Sequence, residues 1–192
     1  MSRSRRSARL IVALNGRVVG LLDRAPNGAI SFTYKKEWLA DSRRAIPVSL
    51  SLPLREERYT GAEVSAFFDN LLPDNDQIRR KVAAKVGAQG TDAFSLLNQI
   101  GRDCVGALQF VPEGDEITPP TLPKYLQLSD ADVAEIIRDL ATAPLGVRPS
   151  GERELRISIA GAQEKTALLW NDGWCLPKGT TPTTHILKPG LG

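Results

Sequence analysis

The chain has 192 residues, with 25 Lys and Arg against 22 Asp and Glu and a formal net charge of +3. Hydrophobic residues make up 42% and charged residues 24%, a globular balance that excludes a disordered, collagenous or coiled-coil chain. No apolar run approaches the roughly 18 residues of a membrane span, and a chain of this size buries roughly 70% of its unfolded surface without needing disulfides.

The basicity sits in a tail. Arg3, Arg5, Arg6 and Arg9 stand in the first nine residues with no acid among them, and without them 21 basic residues face 22 acidic ones. Such an Arg/Ser tail is either solvated or a nucleic-acid contact. It has no apolar stretch behind it of the kind a secretory signal needs. Cys104, Cys175 and His185 have no metal-ligand spacing, and without a secretory signal the cysteines read as free thiols in a reducing cytoplasm. A Cys–His nucleophile would need His185 beside one of them, and nothing in the sequence puts it there.

Taken in order, Leu10 to Leu14, Asn15-Gly16 and Arg17 to Leu22 read as a β-hairpin, since Asn-Gly suits a type I′ turn. Ala29 to Tyr34 predicts a third strand. Ile46 to Leu54, with Ser49 and Ser51 alternating against Val48, Leu50 and Leu52, predicts a half-buried strand or extended edge segment. Thr60 and Glu63 resemble a capping box ahead of Val64, Phe67, Phe68, Leu71 and Leu72, a helix stopped by Pro73. Asp74-Asn75-Asp76 can cap a helix with Ile78, Val82 and Val86 on one face, ending at Gly87. Thr91 or Asp92 caps a third helix with Phe94, Leu97 and Ile100, and Cys104 to Val111 returns to strand. Residues 112–128, with Pro112, Pro119, Pro120 and Pro123, read as a connector. Ser129 to Asp132 opens a helix to about Ala141. After a loop at 144–151 come strands at Leu155 to Ile159, Lys165 to Trp170, Trp174 to Leu176 and Thr184 to Lys188.

Two features point to phosphate chemistry. Ala160, Gly161 and Ala162, between two predicted strands, let backbone come close to a ligand and present N–H groups to phosphate oxygens. The turn is neither a Walker loop nor a GxGxxG loop, and an ordinary tight hairpin has the same composition. Lys188 closes a strand, where a lysine either neutralises phosphate opposite such a turn or is simply solvated.

Four motifs stand in order: Phe67-Phe-Asp-Asn-Leu-Leu-Pro-Asp74; Ile100-Gly-Arg-Asp103 with Gly106-Ala107; Ile157-Ser-Ile-Ala-Gly-Ala-Gln-Glu-Lys-Thr-Ala-Leu-Leu169; and Pro177-Lys-Gly with Pro182-Thr-Thr-His-Ile-Leu-Lys188. With them the chain, from about Leu10 to its last residue, resembles the N-terminal half of HipA-type serine/threonine kinases, the toxins of bacterial toxin–antitoxin pairs. The resemblance implies an α+β fold: a small β-sheet with helices as an N-terminal subdomain at 10–112, a connector at 113–128, then a kinase-like N-lobe β-sheet at 129–192, with the C-terminal kinase lobe absent. It implies that Ala160, Gly161, Ala162, Gln163, Glu164 and Lys165 form the loop over the ATP phosphates, that Lys188 contacts those phosphates, and that Ser158 is autophosphorylated. A phosphoserine there adds about −1.5 to −2 charges beside an anion site and would repel ATP.

The catalytic Asp and the Mg²⁺ ligands of such kinases lie in the missing lobe, and no H-R-D-x-x-x-x-N pattern occurs here. The expectation is that this 192-residue chain alone is inactive. For the family, the resemblance implies an ATP and Mg²⁺-dependent cytoplasmic kinase whose acceptor is an aminoacyl-tRNA synthetase. It also implies growth arrest and persistence, a helix-turn-helix antitoxin of HipB type as partner, operator DNA reached mainly through that antitoxin, and no membrane. The alternative is a non-catalytic interaction module that binds the antitoxin.

Overall fold

Asn15 and Gly16 take φ of 50° and 73°, the two positive values that a type I′ turn requires, and this turn joins β1 (Ala8–Leu14) to β2 (Arg17–Arg24). The computed structural model describes residues 8–103, 107–117, 123–142, 165–178 and 181–188. β3 (Ile30–Tyr34) pairs with β2, the two-residue β4 (Tyr59–Thr60) pairs with β3, and β5 (Leu108–Pro112) pairs with the free side of β1. The result is a five-stranded antiparallel sheet of order β4-β3-β2-β1-β5.

One face of this sheet, carrying Leu10, Val12, Leu22, Phe32, Tyr34 and Phe110, is covered by helices. These are α1 (Lys36–Ala40), α2 (Ala62–Asp69), α3 (Asp76–Val86) and α4 (Ala93–Ile100). Phe68 on α2 stands between Phe32 and Phe110, with ring centroids at 5.8 and 5.7 Å in tilted and edge-on geometry, each such pair adding about 0.5–1.5 kcal/mol beyond area burial. Leu72, Val82, Leu96 and Leu97 complete the core.

The caps are local and mostly as predicted. The Asn75 side chain accepts from the N–H groups of Gln77 and Ile78, Gly87 ends α3 at φ 69°, and Asp92 accepts from the N–H of Ser95. α2 departs from expectation. Gly61 at φ 86° is its N-cap with no side-chain cap bond, because Thr60 is taken into β4. After α2, Arg79 reaches back from α3 and donates to the Pro73 carbonyl at 2.6 Å, the Asp69 carboxylate at 2.6 Å and the Asp69 carbonyl at 3.2 Å. That guanidinium fixes the turn between the two helices.

Residues 46–54 do not join the sheet as a strand. They fold back on themselves through a bridge between Ser49 and Leu52. Tyr34 donates to the Leu52 carbonyl at 2.5 Å and accepts from Val48 N at 2.9 Å, and Tyr59 donates to the Pro53 carbonyl. Leu52 is buried while Leu50 is 95% exposed. The Ser/Leu alternation is therefore that of a pinned turn, not of a pleat.

A second antiparallel sheet follows, of order β6-β8-β7-β9. Its strands are β6 (Lys124–Gln127), β7 (Thr166–Trp170), β8 (Trp174–Lys178) and β9 (His185–Leu187). β6 lies inside the stretch expected to be a connector. α5 (Asp130–Thr142) starts at a reciprocal cap, with Asp132 accepting from Ser129 N and Oγ while its own N–H donates to Ser129 Oγ. Leu128, Val133 and Ile136 pack on Leu168, Trp174, Leu176 and Leu187 of the sheet. The expected strand at Leu155 to Ile159 lies outside the described residues.

Candidate functional site

The second sheet places lysines together that the sequence keeps apart. β6 pairs with β8 so that Lys124 stands directly opposite Lys178. β7 pairs with β9 through Thr166↔Leu187, Ala167↔Ile186 and Leu168↔His185. Continued by one residue, that register sets Lys165 opposite Lys188. Because β8 and β9 both run antiparallel to β7, the four lysines gather at one end of the sheet. Four strands at about 4.8 Å spacing make this end about 14 Å wide. Like charges directly opposite each other on neighbouring strands repel.

Side-chain alternation separates the lysines into two pairs. Lys124 and Lys178 share the face with Leu168 and Leu176, the face that α5 covers. Lys165, half-buried, and Lys188, exposed, fall on the other face with Ala167, Leu169 and Ile186. Ala167 and Leu169 are buried there and Ile186 is exposed.

Two threonines between β8 and β9 set where β9 begins. Thr181 Oγ1 donates to the Lys124 carbonyl at 2.9 Å and accepts from Lys124 N at 2.8 Å. Thr184 N donates to the Leu168 carbonyl at 2.9 Å, and its Oγ1 accepts from Trp170 N at 2.7 Å. Both clamps are side-chain or main-chain bonds to the sheet itself, and Lys188 stands four residues beyond the second.

Of the site residues expected from sequence, Lys165 and Lys188 are thus brought to one end of one strand pair. Ser158, Ala160, Gly161, Ala162, Gln163 and Glu164 lie outside the described residues, as does Cys104. Cys175 is buried and donates to Gln127 Oε1 at 3.3 Å, on the face away from α5. His185 is on the α5-covered face, edge-on to Trp174 at 5.3 Å and bonded to Thr184. The two point to opposite sides of the sheet, so Cys175 and His185 form no nucleophile pair. Lys124 and Lys178 were not singled out by sequence, because only the β6–β8 register makes them neighbours. Among the described residues no group of three or more His, Cys, Asp or Glu could hold a metal ion, and no helix is long and apolar enough to cross a membrane.

Residues 10–111 match the family model described as the HipA N-terminal domain. The chain is 40% identical over 179 residues to Y4mE of Sinorhizobium fredii, a kinase by name, covering 92% of this chain and 42% of that protein. It is 30% identical over 156 residues to the serine/threonine-protein kinase toxin HipA of Shewanella oneidensis, covering 81% of this chain and 34% of that one. Among solved structures, the Shewanella oneidensis toxin–antitoxin complex of HipA, HipB and operator DNA superposes with a TM-score of 0.62 at 28% identity, over 92% of this chain and 39% of that one. The chain spans about two fifths of the length of the relatives it matches. With a family model over more than half its length and both antiparallel sheets in place, this α+β chain belongs to the HipA family and carries its N-terminal domain.

Proposed function

We propose that this chain is the front part of a HipA-type serine/threonine kinase toxin and holds the phosphates of ATP. One observation carries the reading: the Thr166↔Leu187 pair, where β7 begins and β9 ends, brings the flanking Lys165 and Lys188 to the same end of the strand pair. Lys165 directly follows the segment Ala160 to Glu164 in sequence, whose small residues suit close approach of backbone N–H groups to phosphate oxygens. ATP supplies the phosphoryl group when bound. Lys165 and Lys188 offset the phosphate charge from one side, and the apolar Ala167, Leu169 and Ile186 exclude water beside it. Among the described residues no carboxylate group is placed to hold Mg²⁺, whose ligands would come from the C-terminal kinase lobe. Ser158 is the proposed autophosphorylation site, where the added charge would compete with ATP for the lysine pair.

In this reading the protein acceptor is an aminoacyl-tRNA synthetase, the outcome is growth arrest, and the partner is a HipB-type helix-turn-helix antitoxin that brings the toxin to operator DNA. The place of action is the cytoplasm. Support comes from the named relatives and from the solved HipA, HipB and operator DNA assembly. The 192-residue chain alone is expected to transfer no phosphoryl group. The test joins the chain to the sequence that follows it in its gene and measures ATP affinity by calorimetry. Lys188→Ala and Lys165→Ala should each weaken binding about tenfold or more, which is about 1.4 kcal/mol, and Ser158→Ala should abolish label from γ-phosphate at that position. Unchanged affinity in both lysine variants would overturn the reading.

A second reading, a non-catalytic interaction module, is favoured by the turn at 46–54. Two tyrosines hold it, and it exposes Ile46 and Leu50 to solvent. Capture of the antitoxin by this chain, lost in Leu50→Ser while ATP binding by the joined protein is kept, would support it.

A further inference from the structure

The outward side of α3 is basic and unpaired. Gln77, Arg80, Lys81, Ala84 and Lys85 are all exposed, whereas Arg79, Val82 and Ala83 are buried and Ile78 and Val86 half-buried. At 100° per residue the exposed set falls on one side of the helix and the buried set on the other. Arg79 is bonded to Asp69 and Pro73, but Arg80, Lys81 and Lys85 make no ion pair among the described residues. Asp76, the one acid of the helix, stands exposed at its start, one turn before Arg80, and the positions beyond it on this side carry no acid.

Ordinary helix electrostatics does not account for the set. A cation in the last turn complements the helix dipole, which covers Lys85 only. Arg80 has Asp76 one turn before it, but Lys81 sits mid-helix with no such neighbour, and Lys81 with Lys85 is a like-charge i,i+4 pair, an unfavourable spacing in isolation. Short or neutral Ala84 and Gln77 stand between the cations and leave room for a backbone to approach. From Gln77 to Lys85 the stripe runs about 12 Å, and the helix with its side chains is about 10–12 Å across, which suits lying along the edge of a duplex groove about 12 Å wide.

We propose that the outward side of α3 contacts the phosphate backbone of duplex DNA directly through Arg80, Lys81 and Lys85, adding to whatever contact an antitoxin makes. The proposal deepens, and rests on, the reading that this protein works in a DNA-bound toxin–antitoxin assembly. The contacts go to phosphates, so they confer affinity and salt dependence without base preference.

The test is fluorescence anisotropy of a labelled random-sequence duplex of about 30 base pairs with the full 192-residue chain, from about 50 to 200 mM KCl. The triple variant Arg80→Gln/Lys81→Gln/Lys85→Gln should keep its circular dichroism, because all three side chains are exposed. It should bind at least tenfold more weakly at the lowest salt, and its slope of log K against log salt should shrink by about 2–3. Three results each overturn the proposal: no binding of the duplex by the unaltered chain at the lowest salt; a slope in the triple variant equal to that of the unaltered chain, with the loss found instead in Arg3→Gln/Arg5→Gln/Arg6→Gln; or displacement of the duplex by polyglutamate as readily as by unlabelled DNA. Failure of the antitoxin encoded beside the gene to bind this chain would count against the assembly reading alone, since the duplex measurement needs no antitoxin.

Discussion

Arg79 offers the sharpest test of how the N-terminal part is held together. Replacing it by Met keeps the apolar stem and removes the fork that joins α3 to the end of α2. Three bonds go: to the Pro73 carbonyl at 2.6 Å, to the Asp69 carbonyl at 3.2 Å and to the Asp69 carboxylate at 2.6 Å. The third is worth little, under about 1 kcal/mol, because the Asp69 side chain is 49% exposed and water screens it. The Asp69 carbonyl keeps a second donor in Leu72 N at 3.1 Å, so the Pro73 carbonyl matters most. Pro73 is buried, and a carbonyl left without its charged donor costs about 1–3 kcal/mol. The expected loss for Arg79→Met is therefore about 1–4 kcal/mol, a fall of about 0.5–2 M in the urea midpoint for a slope near 2 kcal/mol/M. Asp69→Asn keeps an acceptor at Oδ1 and should cost under about 1 kcal/mol. Urea unfolding followed at 222 nm, where the helices dominate, compares the two. If Arg79→Met falls within about 0.5 kcal/mol of the unaltered chain, or if Asp69→Asn costs as much as Arg79→Met, the assignment of the energy to the buried Pro73 carbonyl is wrong.

Three further outcomes follow from the same structure. Burial pushes the Tyr34 phenol up to about 12 from 10, so the unfolded chain ionises first; stability is complete below pH 10 and falls as pH rises from there through about 12, and Tyr34→Phe should lack that part of the alkaline loss in a pH series of denaturation midpoints. Asn75→Ala should cost about 1 kcal/mol through its cap bonds, and Gly87→Ala a similar amount because φ is 69° there although a Cβ would meet nothing within 4 Å; thermal melts of both variants check this. Gly20→Ala should be the more damaging glycine change, at about 1–3 kcal/mol or above, since its Cβ would sit 2.5 Å from the Phe32 ring and 2.6 Å from the Thr33 carbonyl, which cannot swing away; a melting temperature equal to that of Gly87→Ala would refute the clash.

Much of the N-terminal fold is legible in the residues because its signals act over three or four positions. Asn15-Gly16 specifies a hairpin through two positive φ values, Asn75 and Asp92 mark helix starts through bonds to N–H groups two or three residues on, and Gly87 marks a helix end. The same local logic misleads where a longer contact competes. Thr60 and Glu63 have capping-box spacing, but pairing with Ser31 draws Thr60 into β4 and Gly61 takes the cap position. The segment 46–54 alternates like a strand, but the Tyr34 and Tyr59 hydroxyls bind its carbonyls and fold it into a turn. β6 escapes notice because all four of its residues are exposed, which leaves no alternation to read between Pro123 and Leu128.

The candidate site divides in the same way. The sequence by itself determined the ingredients: a run of small residues at 160–162, the lysines Lys165 and Lys188, and a family resemblance carried by motifs in order. Only the tertiary structure decided that β9 skips β8 to pair with β7, that Lys165 and Lys188 therefore face one another, and that Lys124 and Lys178 join them at the same end of the sheet. A strand's residue types state which faces it can bury, but not which neighbour it takes. That choice is made by long-range pairing and by the clamps at Thr181 and Thr184, whose partners lie far away in the chain.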